Sequence, residues 1–139
     1  MKKRVVFTAG TWDLFHVGHL NLIKKSKELG DFLIVAVSTD ELVASYKKGL
    51  LVIPFDERVA ILESCKYVDK VIKQSSLIEL KQLKEYDPDI ITIGDDWKGK
   101  QLSSLEWFKN QPNKKVVYLP YTSHVSSTKI KETIRKSNF

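Results

Sequence analysis

A run of six consecutive apolar residues, FLIVAV at positions 32–37, restricts the possible folds more than any other feature of the chain. A strand with one face in water alternates apolar and polar residues, whereas a strand covered on both faces has no such alternation. The run RVVFTA at positions 4–9, bounded by Gly10, has the same β-branched and aromatic character. The sequence therefore predicts buried strands in a parallel sheet.

Helical segments alternate with these strands. Leu20, Ile23 and Leu29 recur among lysines and give residues 18–29 one apolar face, which closes at Gly30. The predicted strands are residues 4–9, 32–37, 68–72, 90–93 and 115–119. The predicted helices are residues 18–29, 55–66, 78–85, 104–109 and 127–136, with a helical turn and a loop over 39–54. Alternation of this kind predicts an α/β fold, a doubly wound parallel sheet with helices on both faces.

The length of 139 residues, with 42% hydrophobic and 29% charged residues, fits a folded protein, and we expect a single domain over residues 1–139. Doubly wound sheets bind ligands beyond the carboxyl ends of their strands, near the point where the strand order reverses. Residues suited to chemistry should therefore follow strands directly. Three segments of this chain do so.

The first segment, GTWDLFHVGH at residues 10–19, lies between the first predicted strand and a helix. The free N–H groups and partial positive charge of a helix N-terminus favour phosphate. Gly18 would let an anion approach the main chain, and His16 and His19 could both point at it. Two unrelated histidines, one in the core and one on the surface, are the alternative. The position between strand and helix favours the phosphate site.

The second segment, GDDW at residues 94–97, follows the fourth predicted strand. Asp95 and Asp96 could hold Mg²⁺ through oxygen ligands, or accept hydrogen bonds from a base or from hydroxyl groups. A turn in which one aspartate caps the main chain and the other is solvated is an equal alternative. The spacing leaves these interpretations open.

The third segment, residues 121–129 (YTSHVSSTK), follows the last predicted strand. Ser and Thr are ordinary N-caps, so at least one of Ser126, Ser127 and Thr128 is expected to cap the helix that follows. Three such residues in a row, followed by Lys129 at the carboxyl end of a strand, also predict a second anion-binding site.

Together these segments resemble the cytidylyltransferase family over nearly the whole chain, and its glycerol-3-phosphate cytidylyltransferases most closely. GTWDLFHVGH is similar to the family signature GTFDxxHxGH, GDDWKGK matches the family's acidic segment, and SSTKIKE is similar to the end of RTEGISTTKIK. STDE at 38–41 and ERVAILESCKYVDKVI resemble the middle section. The resemblance implies a five-stranded Rossmann-like sheet, a homodimer, and transfer of CMP from CTP, with Mg²⁺, to a phosphorylated small molecule, giving a CDP-linked product and pyrophosphate.

The resemblance also implies roles for individual residues. Those expected to act in catalysis are His16, His19, Lys48, Arg58 and Lys129. Those expected to bind the nucleotide are Thr8, Ala9, Gly10, Thr11, Trp12, His16, Gly18, His19, Lys48, Gly94, Asp95, Tyr121, Ser126, Ser127 and Thr128. Those expected to bind the acceptor are Asp13, Lys47, Arg58, Asp96 and Trp97, and Asp13 is also the candidate metal ligand.

The chain departs from the family pattern in its last signature. Tyr121 stands where the family has arginine, and Ser123 and His124 replace glutamate and glycine. Tyrosine supplies neither a permanent cation nor a bidentate fork. Either Lys129 or His124 then provides the charge, or the bound groups are arranged differently. The acceptor could be glycerol-3-phosphate, another phosphorylated polyol, an amino alcohol or an amino-acid derivative.

The implied reaction is mainly an electrostatic problem. A phosphate monoester, with a second pKa of about 6, is mostly dianionic at neutral pH and needs no general base, but it must approach a highly negative triphosphate. Positioning and charge neutralisation should therefore dominate catalysis. Lys47 and Lys48 are expected on a loop over the site, with Arg58 opening the next helix. His16 and His19 are expected to hydrogen-bond the phosphate oxygens, and an imidazole could gain a proton beside them.

The net charge of +6 fits an anionic partner but does not identify one. The alternatives are an adenylyltransferase of the FAD or coenzyme A type, an RNA-binding module, and a nucleotide-binding protein without catalysis. GDDW and SSTKIK favour the cytidylyl branch. Scattered lysines, among them Lys131, are interpreted as solvated surface and argue against nucleic acid. No apolar run is long enough to span a membrane, so we expect a cytoplasmic protein that supplies a cell-surface polymer such as teichoic acid.

Overall fold

Strands and helices alternate through the part of the chain that the computed structural model describes, which is residues 2–47, 49–99 and 102–137 without the side chain of Asp96. The strands are β1 (Val5–Gly10), β2 (Phe32–Ser38), β3 (Lys70–Gln74), β4 (Ile90–Gly94) and β5 (Lys115–Leu119). The helices are α1 (Val17–Glu28), α2 (Asp40–Tyr46), α3 (Phe55–Glu63), α4 (Leu80–Tyr86), α5 (Ser103–Lys109) and α6 (Ser127–Lys136), and a 3₁₀ turn spans Asp95–Trp97.

The five strands form one parallel sheet in the order β3-β2-β1-β4-β5. Val6 of β1 is level with Leu33 on one side and with Ile90 on the other, so β1 is the centre of the sheet. The chain adds strands on one side of β1 and then returns to build the other side. The strand order therefore reverses between β1 and β4, and the predicted fold class is confirmed.

The buried strands alternate between two apolar layers. Val35 of β2 packs in a cluster with Ile23 of α1 and Leu62 of α3. The next residue, Ala36, belongs to the cluster on the other face, which contains Leu83 of α4 and residues of α5. Burying one such aliphatic side chain stabilises the fold by about 1.5–3 kcal/mol. The absence of polar residues from positions 32–37 of β2 follows from this cover on both faces.

The predicted element boundaries differ from the structure mainly around β3 and α4. The predicted strand at 68–72 is displaced to Lys70–Gln74, because Asp69 holds the strand start by accepting the Leu33 N–H at 2.7 Å. The predicted helix at 78–85 begins two residues later, because Ile78 has a positive φ of 46° and cannot start a right-handed helix. The helix predicted at 55–66 ends at Glu63.

Helix α6 packs differently from the other long helices. None of its residues is fully buried, and Ile134 is 52% exposed. Within the described ranges, no helix has the length and apolar character needed to cross a membrane.

Candidate functional site

A cleft of about 290 Å³ lies across the carboxyl ends of all five strands. The predicted site residues that line it are Ala9, Gly10, Thr11, Trp12, Asp13, His19, Lys47, Gly94, Trp97, Tyr121 and Ser127. Because β1 and β4 are neighbours on either side of the reversal in strand order, the cleft lies where the doubly wound topology predicts a ligand site.

Other predicted site residues are not part of the cleft lining. These are Thr8, His16, Gly18, Arg58, Asp95, Ser126, Thr128 and Lys129. Thr8 is fully buried and its hydroxyl donates to the Thr92 carbonyl at 3.2 Å. Its side chain therefore links β1 to β4 within the sheet. Lys48 lies outside the described residues, and so does the side chain of Asp96.

His16 and His19 form a reciprocal cap at the N-terminus of α1. His16 is the N-cap, and its Nδ1 accepts the Gly18 N–H at 3.0 Å. His19 Nδ1 accepts the His16 N–H at 3.2 Å, and the two rings stack with centroids 3.9 Å apart. Because both Nδ1 atoms are acceptors, each neutral imidazole carries its proton on Nε2. The pair is therefore oriented by the helix start, with its Nε2–H groups left as donors.

The pKa of both histidines is lowered. For His16 the cause is burial. For His19 burial is again the main cause, and the nearby His16 and Lys47 add to it, so that the pKa falls to about 3. In the protein without ligand both imidazoles are therefore neutral hydrogen-bond donors at pH 7, and a gain of a proton would require a bound anion to overcome this burial.

Aromatic residues hold His19 in place. The Phe15 ring stacks on it with centroids 5.4 Å apart, and Trp12 contacts it edge-on at 5.5 Å. Trp12 is buried, has a φ of 61°, and donates its indole N–H to the Ala36 carbonyl at 3.1 Å. A Cβ at Gly10 would lie 3.0 Å from the Trp12 ring. Trp12 thus supports His19 and also lines the cleft, and its contact with nucleotide stays a prediction.

Gly18 is required for a reason that the sequence did not show. A Cβ at this position would lie 2.8 Å from Cε1 of His16 and 3.3 Å from Val125. The glycine makes room for the capping imidazole itself. The predicted close approach of an anion to the main chain at Gly18 stays a prediction.

Asp13 holds a loop instead of offering its carboxylate to a ligand. It is buried, and its two oxygens accept the N–H groups of Val52 at 2.9 Å and Ile53 at 2.8 Å. Lys131, interpreted from the sequence as solvated surface, lies 4.0 Å from this carboxylate and donates to the Leu50 carbonyl at 2.7 Å. The structure therefore does not support the predicted substrate contact of Asp13.

Arg58 is also a buried positioning residue, which corrects its predicted contact with substrate. Its side chain is fully buried, and Nη2 pairs with Asp40 at 2.6 Å. The guanidinium also donates to three main-chain carbonyls, those of Ile53, Thr11 and Ser38, at 2.7–2.9 Å. A rigid fork with five N–H donors suits such a junction. Arg58 thus joins the ends of β1 and β2 to the loop before α3.

The described residues include no cluster of metal-ligating side chains. They contain no group of three or more His, Cys, Asp or Glu side chains placed to share one ion. Asp13, the predicted ligand, already uses both oxygens for main-chain N–H groups. Magnesium usually takes only one or two carboxylates and fills its shell with water and substrate phosphates.

The last predicted segment ties α6 to the first motif. Ser126 is the N-cap of α6, as expected for one of its three hydroxyl residues, because its Oγ accepts the Lys129 N–H at 3.0 Å. Ser127 donates to the Asp13 carbonyl at 2.7 Å. Lys129 Nζ donates to the Ser123 carbonyl at 2.7 Å instead of facing the cleft. In this arrangement Lys129 does not replace the cation that Tyr121 lacks.

Several cleft residues were missed by the sequence analysis. They are Leu22, Ser38, Tyr46, Gln74, Leu77, Ile78, Ile93 and Leu102. Ser38 and Gln74 are the last residues of β2 and β3, so the rule that site residues follow strands would have found them. Tyr46 carries no such signal, because it comes from the end of α2 and lies 35 residues from its partner Thr11.

Comparisons with known proteins agree with this geometry. Residues 7–133 match the protein family described as cytidylyltransferase-like. The chain is 43% identical to a glycerol-3-phosphate cytidylyltransferase of Bacillus subtilis over 96% of this chain and 98% of the relative. It is 35% identical to an FAD synthase of Thermococcus kodakarensis over 97% and 92% of the two chains. A solved lipopolysaccharide core biosynthesis protein from Thermoplasma volcanium superimposes with a TM-score of 0.69 at 28% identity, over 89% of this chain and all of that one.

Proposed function

The chain belongs to the cytidylyltransferase-like family and is a nucleotidyltransferase, and we propose that it transfers CMP from CTP to a small phosphate monoester. An oxygen of the acceptor phosphate attacks the α-phosphorus of CTP, the bond from that phosphorus to the bridging oxygen breaks, and pyrophosphate leaves. The product is a CDP-linked compound. The acceptor is already dianionic at neutral pH, so this step needs no general base.

The observation that carries the proposal is the histidine pair at the start of α1. Its Nδ1 atoms are occupied by main-chain N–H groups, which leaves neutral Nε2–H donors beside the reversal in strand order. Donors fixed before the reaction stabilise charge that develops on phosphate oxygens without having to reorganise. The Nε2–H groups would bond oxygens around the α-phosphorus and the departing pyrophosphate.

The cleft has two halves, which we assign to the two substrates. Gly94 and Tyr121 line the half at β4 and β5, where the family resemblance expects nucleotide. Trp97, which the resemblance assigns to the acceptor, lines the same half. The half at β2 and β3 includes Ser38 and Lys47, and we assign it to the acceptor. The reacting phosphates would then meet beside β1 and the histidines.

The charges of the lining favour an acceptor with a neutral organic part. Asp13 is the only carboxylate among the described lining residues, and both of its oxygens accept main-chain N–H groups. A cationic amino alcohol would therefore find no carboxylate among these residues whose oxygens are not already hydrogen-bonded to the main chain. We accordingly propose a phosphorylated polyol, with glycerol-3-phosphate, the compound named for the Bacillus subtilis relative, as the first candidate.

Three further parts of the proposal concern the setting of the reaction. Mg²⁺ would enter with CTP, held by phosphate oxygens and water and not by a protein cluster. The active form would be a homodimer, as the family resemblance suggests. The CDP-linked product would be the activated donor for a cell-surface polymer such as teichoic acid.

Pyrophosphate release tests the proposal. CTP, ATP, GTP and UTP are each combined with glycerol-3-phosphate, phosphoethanolamine, other polyol phosphates and FMN, with Mg²⁺ present. We expect release with CTP and a neutral polyol phosphate. ATP-dependent release with FMN would instead support an FAD synthase activity, as in the Thermococcus relative. A folded protein that releases no pyrophosphate with any pair would contradict the proposal.

The histidine pair is tested with a matched control. His19→Ala should lower turnover by at least about a hundredfold, because donors to the developing charge are lost. His124→Ala removes an exposed histidine that does not line the cleft and should keep activity within about twofold. Near-normal turnover of folded His19→Ala would remove the main support for the proposed site.

A further inference from the structure

Tyr46 closes one side of the cleft through a hydrogen bond to Thr11. It is the last residue of α2 and is 37% exposed, and its hydroxyl lies 3.0 Å from Thr11 Oγ1. Thr11 is buried directly after β1. The contact therefore joins an accessible aromatic ring to the loop that begins the histidine motif.

The two hydroxyls form a compact group of hydrogen-bonding atoms. Each hydroxyl carries one proton and two lone pairs, and only one proton is needed for the bond between them. The second proton is left to donate to another oxygen. Lys47 follows Tyr46 and also lines the cleft, so a cationic residue lies next in the chain. A phosphate oxygen that approaches this group could therefore accept a hydrogen bond from a neutral hydroxyl.

The cleft that Tyr46 lines also has an apolar part at Leu77 and Ile78, and Ile78 has a strained main chain. Ile78 has a φ of 46°, which is rare for a β-branched residue. The buried Gln74 fixes it by accepting the Ile78 N–H at 3.2 Å and donating to Ser38 Oγ at 3.0 Å. Strain of this kind persists where the surroundings over-determine it, and it clusters at ligand sites.

We propose that Tyr46 is a specificity-determining residue for the acceptor. Its hydroxyl, paired with Thr11, binds the acceptor phosphate, and its ring and Ile78 enclose the organic part of the acceptor. The ligand class is a small phosphate monoester with a neutral organic part. This inference rests on the proposed function, because it assigns Tyr46 to the acceptor half of the cleft and not to the nucleotide half.

Steady-state kinetics of Tyr46→Phe test the inference with CTP and glycerol-3-phosphate varied separately. We expect the KM for the acceptor to rise about tenfold, since a hydrogen bond to a charged group is lost. The KM for CTP and kcat should change less than about twofold. Tyr118→Phe is the matched control, because it removes a phenol hydroxyl that contacts Lys109 outside the cleft. It should leave both KM values and kcat unchanged. Circular dichroism and thermal unfolding verify that both variants fold.

Calorimetric titration with glycerol-3-phosphate gives a readout without turnover. We expect the wild-type protein to bind it and Tyr46→Phe to bind it about tenfold more weakly. Two outcomes would overturn this inference but leave the proposed function standing. One is an equal rise in the KM for both substrates, and the other is an unchanged acceptor KM and affinity in an active Tyr46→Phe. A wild-type protein that neither binds the acceptor nor releases pyrophosphate would overturn the proposed function together with it.

Discussion

Asp13 and Arg58 hold the same residue, Ile53, from its two sides. Oδ1 of Asp13 accepts the Ile53 N–H at 2.8 Å, and Nε of Arg58 donates to the Ile53 carbonyl at 2.9 Å. Arg58 also donates to the Thr11 carbonyl at 2.7 Å. Two buried charged residues thus fix the loop before α3 to the first motif. These contacts stabilise the shape of the cleft.

Arg58→Lys should destabilise the fold. Lysine cannot reach three carbonyls and a carboxylate with one ammonium group, so buried acceptors lose their partners at about 1–3 kcal/mol each. We expect a loss of about 3 kcal/mol in the free energy of unfolding, measured with urea. Arg135→Lys on the exposed face of α6 is the control and should change it by less than about 0.5 kcal/mol. Equal urea midpoints for the two variants would contradict the structural role of Arg58.

Asp13→Asn should loosen the loop before α3 without unfolding the protein. The amide can accept only one of the two N–H groups that the carboxylate accepts, and it lacks the charge that faces Lys131. Hydrogen exchange at the amides of Val52 and Ile53 should become at least about tenfold faster, while that of the β2 amides stays unchanged. Asp56→Asn, at an exposed position in the first turn of α3, is the control. Unaltered protection at residues 52 and 53 would show that the carboxylate does not hold this loop.

The stability of the protein should fall in acid because of His19. Its pKa is about 3 in the folded chain, against about 6.5 unfolded. As the pH falls below about 6.5, the unfolded chain takes up a proton that the folded chain does not bind until about pH 3. The free energy of unfolding therefore decreases by up to about 1.4 kcal/mol per pH unit from this group.

His19→Asn separates this contribution from other titrations. Urea unfolding of both proteins between pH 7.5 and 4.5 should give a steeper loss for the wild type, so that the difference between them narrows as the pH falls. Parallel curves would mean that His19 is not buried as a neutral imidazole. His16, with its pKa also lowered by burial, contributes in the same direction in both proteins.

Gly18→Ala should damage the site more than the fold. The added Cβ would lie 2.8 Å from the His16 ring, which must move away from its capping position. Alanine is the better helix former, by about 1 kcal/mol, so much of the cost to stability is offset. We expect turnover to fall at least about tenfold with a change in melting temperature of only a few degrees. Gly49→Ala, whose Cβ would come no closer than 3.7 Å to the Lys131 ammonium, should remain near wild-type activity.

Local sequence patterns predicted the architecture because they report burial. The apolar run in β2 has no alternation, since helices cover both faces of the sheet, and this property is visible in a few adjacent residues. The histidine motif was also recognisable from adjacent residues, because His16, Gly18 and His19 lie within one helical turn. Their relation is local, so their spacing alone indicated a site.

Contacts between distant segments were not predictable in this way. Tyr46 lies 35 residues from Thr11, and Arg58 lies 47 residues from the same threonine. No spacing rule joins such pairs. Burial of Arg58 was especially hard to anticipate, because arginine in a helix is usually on the surface unless its donors are satisfied. The family resemblance placed Asp13 and Arg58 at the site but did not distinguish holding a loop from binding substrate.

The sheet, its buried strands and the helix start with its two histidines were predictable from the sequence, because each depends on residues that are neighbours along the chain. Only the tertiary structure decided which polar side chains face the cleft. Parallel strands bring their carboxyl ends together from segments far apart in sequence, and a buried charge there must find partners or face a desolvation cost of several kcal/mol. Asp13 and Arg58 find those partners in main-chain groups. Tyr46, Lys47 and Tyr121 are brought into the lining of the cleft from other segments.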